Sequence, residues 1–374
     1  MLTKNNLNIK ELKSMSNAIR ALSMDAVEKA NSGHPGMPLG MSDVATILYK
    51  YFLSFNPQNP KWLNRDRFVL SAGHGSMLLY SLLHLTGYKK ITIDQIKKFR
   101  QLKSKTAGHP EYDIECGIET TTGPLGQGLA NSIGMAIGEK HLSSIFGKNL
   151  INHHTYVVVG DGCLMEGISH EAISLAGHLK LNKLIVLFDD NKVSIDGPTS
   201  LSTSENHLAR FKACNWDVQK INGHNFKQIY NAINKAKKTK KPSLIACKTI
   251  IGYGSPNKQG KNSSHGAALG PDEVEKTKKK INWPYPPFVI PEEILKIWKN
   301  IGIKGIKENK KWNLVLKNLN NKKKKLFNNY LNKKIEKNCF LELKKIKKKL
   351  CLSNEEIATR KASNIAINLL QKRM

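Results

Sequence analysis

Two uninterrupted apolar runs, with a helical pattern between them, constrain the fold of this chain more than any other feature. TYVVVGDG (155–162) and KLIVLFDDN (183–191) flank the amphipathic segment ISHEAISLAGHLK (168–180). Continuous rather than alternating apolar runs are typical of strands buried on both faces, and a helical connection makes neighbouring strands parallel. RFVL (67–70) and PSLIACKTI (242–250) predict further strands of this kind. The sequence therefore predicts an α/β fold with a mostly parallel sheet and helices on both faces.

The 374-residue chain exceeds the size at which one core usually keeps growing, so more than one part is expected. The prolines of WPYPPFVIPEE (283–293) punctuate the chain, and a Lys-rich helical pattern follows them. We predict an α/β domain over residues 1–320, a helical Lys-rich linker over 321–353, and the start of another domain over 354–374.

The net charge of +31 raises the question of a nucleic-acid partner. Residues 321–350 hold 12 lysines against 2 acidic residues, and elsewhere the excess is spread along the chain. This spread excess of Lys is not accompanied by the Arg and aromatic groups that stack on bases, so we predict no nucleic-acid partner. No apolar run approaches ~20 residues and the first residues do not resemble a secretory signal, so we expect no membrane partner and a soluble, cytoplasmic protein.

The cysteines show no CxxC pair and no metal-ligand spacing, which predicts reduced thiols rather than disulfides or a zinc site. There are six: Cys116, Cys163, Cys214, Cys247, Cys339 and Cys351.

Polar residues follow the first two apolar runs, at the point where each predicted strand ends. Asp161 and Gly162 follow one run, and Asn191 follows the next after 28 intervening residues. The carboxyl ends of parallel strands meet at one edge of a sheet, where anions and their cations bind. Carboxylate and amide oxygens suit Mg²⁺ or Ca²⁺, and Gly162 would let a diphosphate approach the backbone. Taken alone, Asp161 is equally well explained as a turn or helix-capping residue.

Four histidines lie beside glycine or proline on predicted loops: His34, His74, His109 and His265. A single histidine in such a setting is usually structural. Four of them without metal-ligand spacing predict a polar pocket that hydrogen-bonds hydroxyl groups and transfers protons. The remaining histidines lack this setting and are interpreted as structural or solvated.

The segment GDG followed by Asn resembles the fingerprint of thiamine-diphosphate enzymes. Further segments extend the resemblance, to the transketolase family, from about residue 15 to residue 374: SGHPGMPLG, SAGHGSMLLY, AGHPE, TTGPLGQG, GDGCLMEGISHEA and SHGAALGP. The resemblance implies transfer of a two-carbon glycolaldehyde unit from a ketose phosphate to an aldose phosphate, with thiamine diphosphate as the cofactor.

The resemblance also assigns roles to individual residues. It implies that His34 and His265 bind the sugar phosphate and, with His109, assist catalysis. The implied cofactor contacts are His74, Gly123, Pro124, Leu125, Gly162, Asn191 and His265. The implied ligands of the divalent cation are Asp161, Asn191 and the backbone carbonyl of Val193.

Transketolases place the cofactor between this type of domain and a pyrimidine domain of a partner subunit, so the resemblance implies a homodimer or a complex with a separate pyrimidine-domain chain. In this chain only ATRKAS (358–363) resembles that domain, with Arg360 at the position of a substrate-phosphate contact; the alternative is a surface cation. A capping box at Ser353 and Glu356 predicts the helix that carries it. Lys261 and Asn262 depart from the Thr and His that are common in the family.

Two classes of function remain open from the sequence. One is an enzyme, a transketolase or a deoxyxylulose-phosphate-synthase-like relative, completed by a pyrimidine domain. The related dihydroxyacetone synthases share the quoted segments and are not distinguished by them. The other is a catalytically inert remnant or a binding module.

Overall fold

The computed structural model describes residues 7–332, 337–353 and 356–371 of the chain. Its residues form two compact units, Met1–Asn313 and Leu314–Met374. The predicted borders after residues 320 and 353 stay predictions.

A five-stranded parallel sheet forms the centre of the first unit, in the order β1-β2-β3-β5-β4. The strands are β1 (Arg67–Leu70), β2 (Thr155–Val159), β3 (Leu184–Asp190), β4 (Asp217–Asn222) and β5 (Ser243–Lys248). Every residue of β2 and β3 is buried, as the continuous apolar runs predict, and full burial of one large apolar side chain contributes about 1.5–3 kcal/mol. The predicted fold class is confirmed.

Helices connect and cover the strands. In the first unit they are α1 (Ile9–Ala30), α2 (Gly36–Ile47), α3 (Ser76–Thr86), α4 (Ile93–Lys97), α5 (Gln127–Phe146), α6 (Asp161–Met165), α7 (Gly167–His178), α8 (His207–Ala213), α9 (Phe226–Ala236) and α10 (Pro271–Lys280). Helix α11 (Glu292–Lys317) begins in the first unit and ends in the second.

The direction of the strand connections places helices on both faces of the sheet. The chain passes from β1 to β2 to β3 in one direction across the sheet, and from β4 back to β5 in the opposite direction. Because such crossovers are right-handed, the reversal puts α9 on the face opposite α7. Helix α5 packs beside α7, whereas α9 packs beside α2.

The edge strand β4 was not predicted from the sequence. Its residues, DVQKIN, are half-buried or exposed, in contrast to the fully buried β2 and β3. An edge strand has a partner on one side only and tolerates polar residues such as Gln219 and Lys220, so it lacks the continuous apolar signal.

The second unit contains α12 (Asn321–Leu331), α13 (Lys337–Ser353) and α14 (Thr359–Gln371). The side chain of Asn320 caps α12 by accepting the Lys323 N–H at 2.9 Å. The capping-box prediction was wrong: Ser353 ends α13, and the next described helix begins at Thr359.

Within the described residues, no helix combines the length and apolar character needed to cross a membrane. The described cysteines, Cys116, Cys163, Cys214, Cys247 and Cys351, carry free thiols, as predicted. The side chain of Cys339 lies outside the described set.

Gly177 allows helix α7, which connects β2 to β3, to pack against the chain that follows α8. A methyl group on Gly177 would lie 1.7 Å from the backbone oxygen of Cys214. By contrast, a methyl group on Gly134, an exposed glycine of α5, would meet no atom within 4 Å.

We expect Gly177→Ala to lower the free energy of unfolding by about 1–3 kcal/mol or more, because two backbones must separate. The matched variant Gly134→Ala should raise it by up to ~1 kcal/mol, because alanine favours helix more than glycine does. Urea denaturation of both variants measures the difference. A Gly177→Ala protein as stable as the wild type would contradict this packing.

Candidate functional site

A cavity of about 300 Å³ lies beyond the carboxyl ends of β2 and β3. Most of the predicted site residues line it: His34, His74, Gly123, Leu125, Asp161, Gly162, Asn191, Val193 and His265. The structure thus brings together two groups that the sequence suggested separately, the polar residues at the strand ends and the histidines on loops.

Asp161 is the buried carboxylate of the site. It follows β2, and only 5% of its surface is exposed. Burial raises its pKa to about 6, Lys192 lowers the pKa, and the neighbouring Asp190 carboxylate raises it. A buried carboxyl group with a raised pKa is one whose charge lacks full compensation from the protein, and a bound cation would supply that compensation.

The amide of Asn191 is held in one orientation by two hydrogen bonds. Its Nδ2 donates to Asp189 Oδ2 at 2.8 Å, and its Oδ1 accepts the N–H of Val193 at 2.9 Å. Asp189 also accepts a hydrogen bond from the hydroxyl group of Thr249. Because an amide oxygen has two lone pairs, Oδ1 keeps one for a cation. The predicted ligand set of Asp161, Asn191 and the Val193 carbonyl therefore fits a hard cation that takes further ligands from phosphate or water.

Two groups close to Asp161 and Asn191 were not predicted from the sequence. Burial raises the pKa of Asp189 to about 7, with a further rise from Asp161; the double Asp of FDDN was the signal that could have found it. His207, interpreted as structural or solvated, is buried, with Nε2 3.8 Å from Asp161 Oδ1. Nothing in the local sequence around His207 indicates that proximity.

A cluster of imidazole rings forms another part of the cavity lining. The ring centroid of His34 lies 5.2 Å from that of His74, 5.7 Å from that of His265 and 6.3 Å from that of His109. His74 and His265 stack at 5.0 Å with an interplanar angle of 19°. The predicted grouping of four histidines is therefore present, although His109 is exposed and does not line the cavity.

Burial keeps the three cavity-lining histidines, His34, His74 and His265, uncharged. It lowers the pKa of His74 to about 3 and that of His34 to about 4, and in both the neighbouring histidines lower it further. The pKa of His265 is also lowered, again by burial, and the pKa of the more exposed His109 is lowered by partial desolvation and by the charge of Arg100. At neutral pH these rings are neutral, so each offers one donor and one acceptor. The buried Nδ1 of His265 has no hydrogen-bond partner among the described residues, which fits a ligand that would pair with it.

The loop TTGPLG brings two of the predicted cofactor contacts, Gly123 and Leu125, to the cavity. Gly123 adopts φ +147, a conformation rare for residues with a side chain, and a methyl group there would lie 3.2 Å from His109 Cγ. The N–H of Thr122 donates to Pro110 O at 3.0 Å and joins this loop to the His109 loop. Pro124 is exposed and does not line the cavity, whereas Leu125 does.

Arg100 is a further residue that the sequence did not single out. Its Nη2 lies 3.4 Å from Nδ1 of His34, and its Nη1 donates to the hydroxyl of Ser32 at 3.0 Å. Arg100 lies in a polar loop after α4 and is separated from His34 by 66 positions, so no spacing rule connects the two residues.

The loop that carries His265 is fixed by a carboxylate on α10. Glu273 accepts the backbone N–H and the side-chain amide of Asn257, both at 2.8 Å. The two residues that depart from the family pattern, Lys261 and Asn262, are exposed. The amide of Asn262 donates to the oxygen of Ile195, a cavity-lining residue, at 3.4 Å.

The predicted phosphate contact Arg360 lies in the second unit, exposed on α14. Its predicted role stays a prediction.

A larger cavity of about 890 Å³ lies between α1 and α10, lined by aromatic and proline side chains such as Trp283 and Phe288 together with charged residues. It contains none of the predicted site residues. Because convergent polar groups with shifted pKa values mark a site better than volume does, the smaller cavity is the candidate site.

Comparison with known proteins identifies the family of this chain. Residues 11–338 match the family model of the thiamine diphosphate binding domain of transketolase. The chain is 51% identical over 358 residues to the transketolase of Sinorhizobium medicae, covering 96% of this chain and 51% of that protein. It is 57% identical over 291 residues to transketolase 1 of Escherichia coli, covering 76% of this chain and 44% of that protein.

Solved structures agree. The crystal structure of transketolase from Campylobacter jejuni superposes with a TM-score of 0.88 at 42% identity, covering 98% of this chain and 56% of that chain. A Pichia stipitis transketolase in complex with sedoheptulose-7-phosphate superposes with a TM-score of 0.79 at 44% identity, covering 82% of this chain and 46% of that one.

The fold and the cavity at its strand ends define a thiamine-diphosphate-binding α/β domain. The chain belongs to the transketolase family, and it spans about half the length of the curated relatives it matches.

The lowered pKa of His74 predicts that the protein loses stability in acid, and that a variant with an uncharged side chain at this position loses less. Below about pH 6.5 the unfolded chain binds a proton at this residue, whereas the folded chain does so only near pH 3. The unfolding free energy therefore decreases as the pH falls through 6.5. We expect wild type to lose more stability between pH 7.5 and pH 5 than His74→Gln does, measured by urea denaturation.

His141→Gln, on the exposed side of α5, is the matched control and should follow the wild-type pH dependence, because solvent surrounds that ring in both states. Equal acid sensitivity of wild type and His74→Gln would show that His74 is not buried in the neutral form.

Proposed function

We propose that this chain is the diphosphate-binding part of a transketolase, which transfers a two-carbon unit from a ketose phosphate to an aldose phosphate. The observation that carries the proposal is the convergence of Asp161 and Asn191 with the histidine cluster in one cavity. Family membership supports it, as does the sugar phosphate bound to the Pichia stipitis relative.

The residues present fit the cofactor that the family implies. Asp161, Asn191 and the Val193 carbonyl would hold Mg²⁺ or Ca²⁺, and the cation would bind the diphosphate. A methyl group on Gly162 would lie 3.0 Å from Leu125 Cδ1, so a side chain at this position would be crowded, whereas glycine would let a phosphate group approach the backbone. When bound, thiamine diphosphate supplies a carbanion that adds to carbonyl groups, a chemistry that side chains do not provide.

The neutral histidines would orient the sugar and move protons. The ring centroids of His34 and His265 lie 5.7 Å apart, and both residues would hydrogen-bond substrate oxygens. His109, nearest the open side, would act on a sugar hydroxyl, and His74 would pack against the cofactor. A neutral imidazole can both give and take a proton at pH 7, which transfer between two sugars requires.

The rest of the catalytic unit lies outside this chain in our proposal. The cofactor would be completed by a pyrimidine domain, in a homodimer or in a complex with a separate chain, and Arg360 would contact substrate phosphate there. The predicted cytoplasmic location and the absence of nucleic-acid and membrane partners remain predictions.

Cofactor binding tests the first half of the proposal. We expect the chain to bind thiamine diphosphate in the presence of Mg²⁺ by calorimetry, and a chelator to abolish the binding. Asp161→Ala should weaken binding by about 100-fold or more, because it removes the only charged ligand of the cation. Asp272→Ala removes an exposed carboxylate of α10 and should bind like wild type. Binding that is unaffected by Asp161→Ala would refute the assigned site.

Reconstitution tests the second half. Mixed with the separately produced pyrimidine domain of a transketolase, the chain should transfer a ketol unit from xylulose 5-phosphate to ribose 5-phosphate. His265→Ala should lower kcat by about 10²–10⁴-fold without changing the folded fraction. Cofactor binding without any transfer in the assembled complex would favour an inert remnant or a binding module.

A further inference from the structure

The guanidinium of Arg100 is fixed beside one edge of His34. Its Nη1 donates to Ser32 and its Nη2 points to His34 Nδ1 at 3.4 Å, while its carbon lies 5.6 Å from the centroid of the Phe99 ring. The backbone is constrained as well: Arg100 adopts φ 61, and its N–H donates to Thr106 O at 2.9 Å. A non-glycine residue in the left-handed region is uncommon, so the surrounding structure holds this arginine in place.

This contact determines which nitrogen of His34 carries the proton. A guanidinium has donors only and does not lose its proton in proteins, so the nitrogen facing it must be an acceptor. Nδ1 of His34 is then unprotonated, and the proton of the neutral ring is on Nε2. The ring is neutral because burial lowers its pKa to about 4, and His265, Arg100 and His109 lower it further.

His34 lines the cavity, and its Nε2 makes no hydrogen bond to another described residue. A methyl group on Gly266 would lie 3.3 Å from Nε2, which puts this edge against the loop of His265. Among the described residues, the only recorded hydrogen bond of the His34 ring is the one to Arg100. The charged or titratable groups that face the ring are Arg100 and the imidazoles of His74, His109 and His265.

We propose that Arg100 is a positioning residue that fixes the Nε2–H tautomer of His34, so that His34 presents a hydrogen-bond donor to the cavity. The ligand of that donor is an oxygen atom, a carbonyl or hydroxyl of the sugar substrate. This last step rests on the proposed function, whereas the tautomer itself does not.

The tautomer is measured directly on the full chain without cofactor or substrate. In the ¹⁵N-histidine-labelled protein at pH 7.5, long-range ¹H–¹⁵N correlations distinguish protonated from unprotonated ring nitrogens, and His34→Gln identifies the His34 signals. We expect Nδ1 unprotonated and Nε2 protonated in wild type. A protonated Nδ1, in the other tautomer or in an imidazolium, overturns the proposal.

The variants test whether Arg100 is the cause. Arg100→Met should produce a measurable share of the Nδ1–H tautomer and a higher His34 pKa, and Arg100→Lys, which keeps a charged donor, should restore the wild-type spectrum. If Arg100→Met does not fold, Arg100→Gln replaces it, because an amide can accept as well as donate and so permits both tautomers. A wild-type spectrum in a folded neutral variant refutes the role of Arg100.

Activity of the reconstituted enzyme provides the link to function. Arg100→Met should lower kcat, and Arg100→Lys should recover part of the loss. If kcat falls while the tautomer is unchanged, Arg100 acts in another way and the proposal fails. If wild type shows no transfer but the predicted tautomer, the proposed function fails and the assignment of Arg100 stands.

Discussion

The parallel pairing of β2 with β3 is the interaction on which the rest of the site depends. The register pairs Thr155 with Leu184 and Val159 with Phe188, so the two strands end at the same edge. A shift of two residues would displace one strand end by about 6.6 Å, far more than the ~2–2.6 Å of a metal–oxygen bond. Burial of both strands on both faces holds this register, because apolar side chains lose their contacts when the strand moves.

Burial also sets the chemistry of the cavity, and it acts in opposite directions on its acidic and basic groups. It raises the pKa of Asp161 to about 6, because the buried charge lacks full compensation, which a bound cation would supply. It lowers the pKa of His74 to about 3, which removes positive charge from the histidine cluster. One low-dielectric cavity thus combines residues suited to a cation and its phosphates with residues suited to uncharged hydroxyl groups. A charged histidine cluster would instead compete with the cation for the diphosphate.

The sequence predicts those parts of this arrangement that are encoded locally. The apolar runs of β2 and β3 predict parallel strands, and the strand ends predict that Asp161 and Asn191 meet. Edge strand β4 was missed because its exposed face gives no continuous apolar signal. Arg100 was missed because its contact with His34 joins two loops, and loop conformation depends on tertiary packing rather than on spacing. The roles of the individual site residues remain predictions, although the structure brings most of them to one cavity.

A cluster of neutral histidines selects one arrangement of ligand atoms only if the positions of its ring protons are fixed. Each ring can present a donor or an acceptor on a given edge, so an unconstrained cluster would match several arrangements of sugar oxygens almost equally well. The donors of Arg100 remove that ambiguity for His34. Nδ1 of His265 has no hydrogen-bond partner among the described residues, so the protein does not fix whether this nitrogen carries the proton. A ligand that pairs with Nδ1 would therefore select the tautomer of His265. The cluster would then combine one ring whose proton is fixed with one ring whose proton can move to suit the ligand.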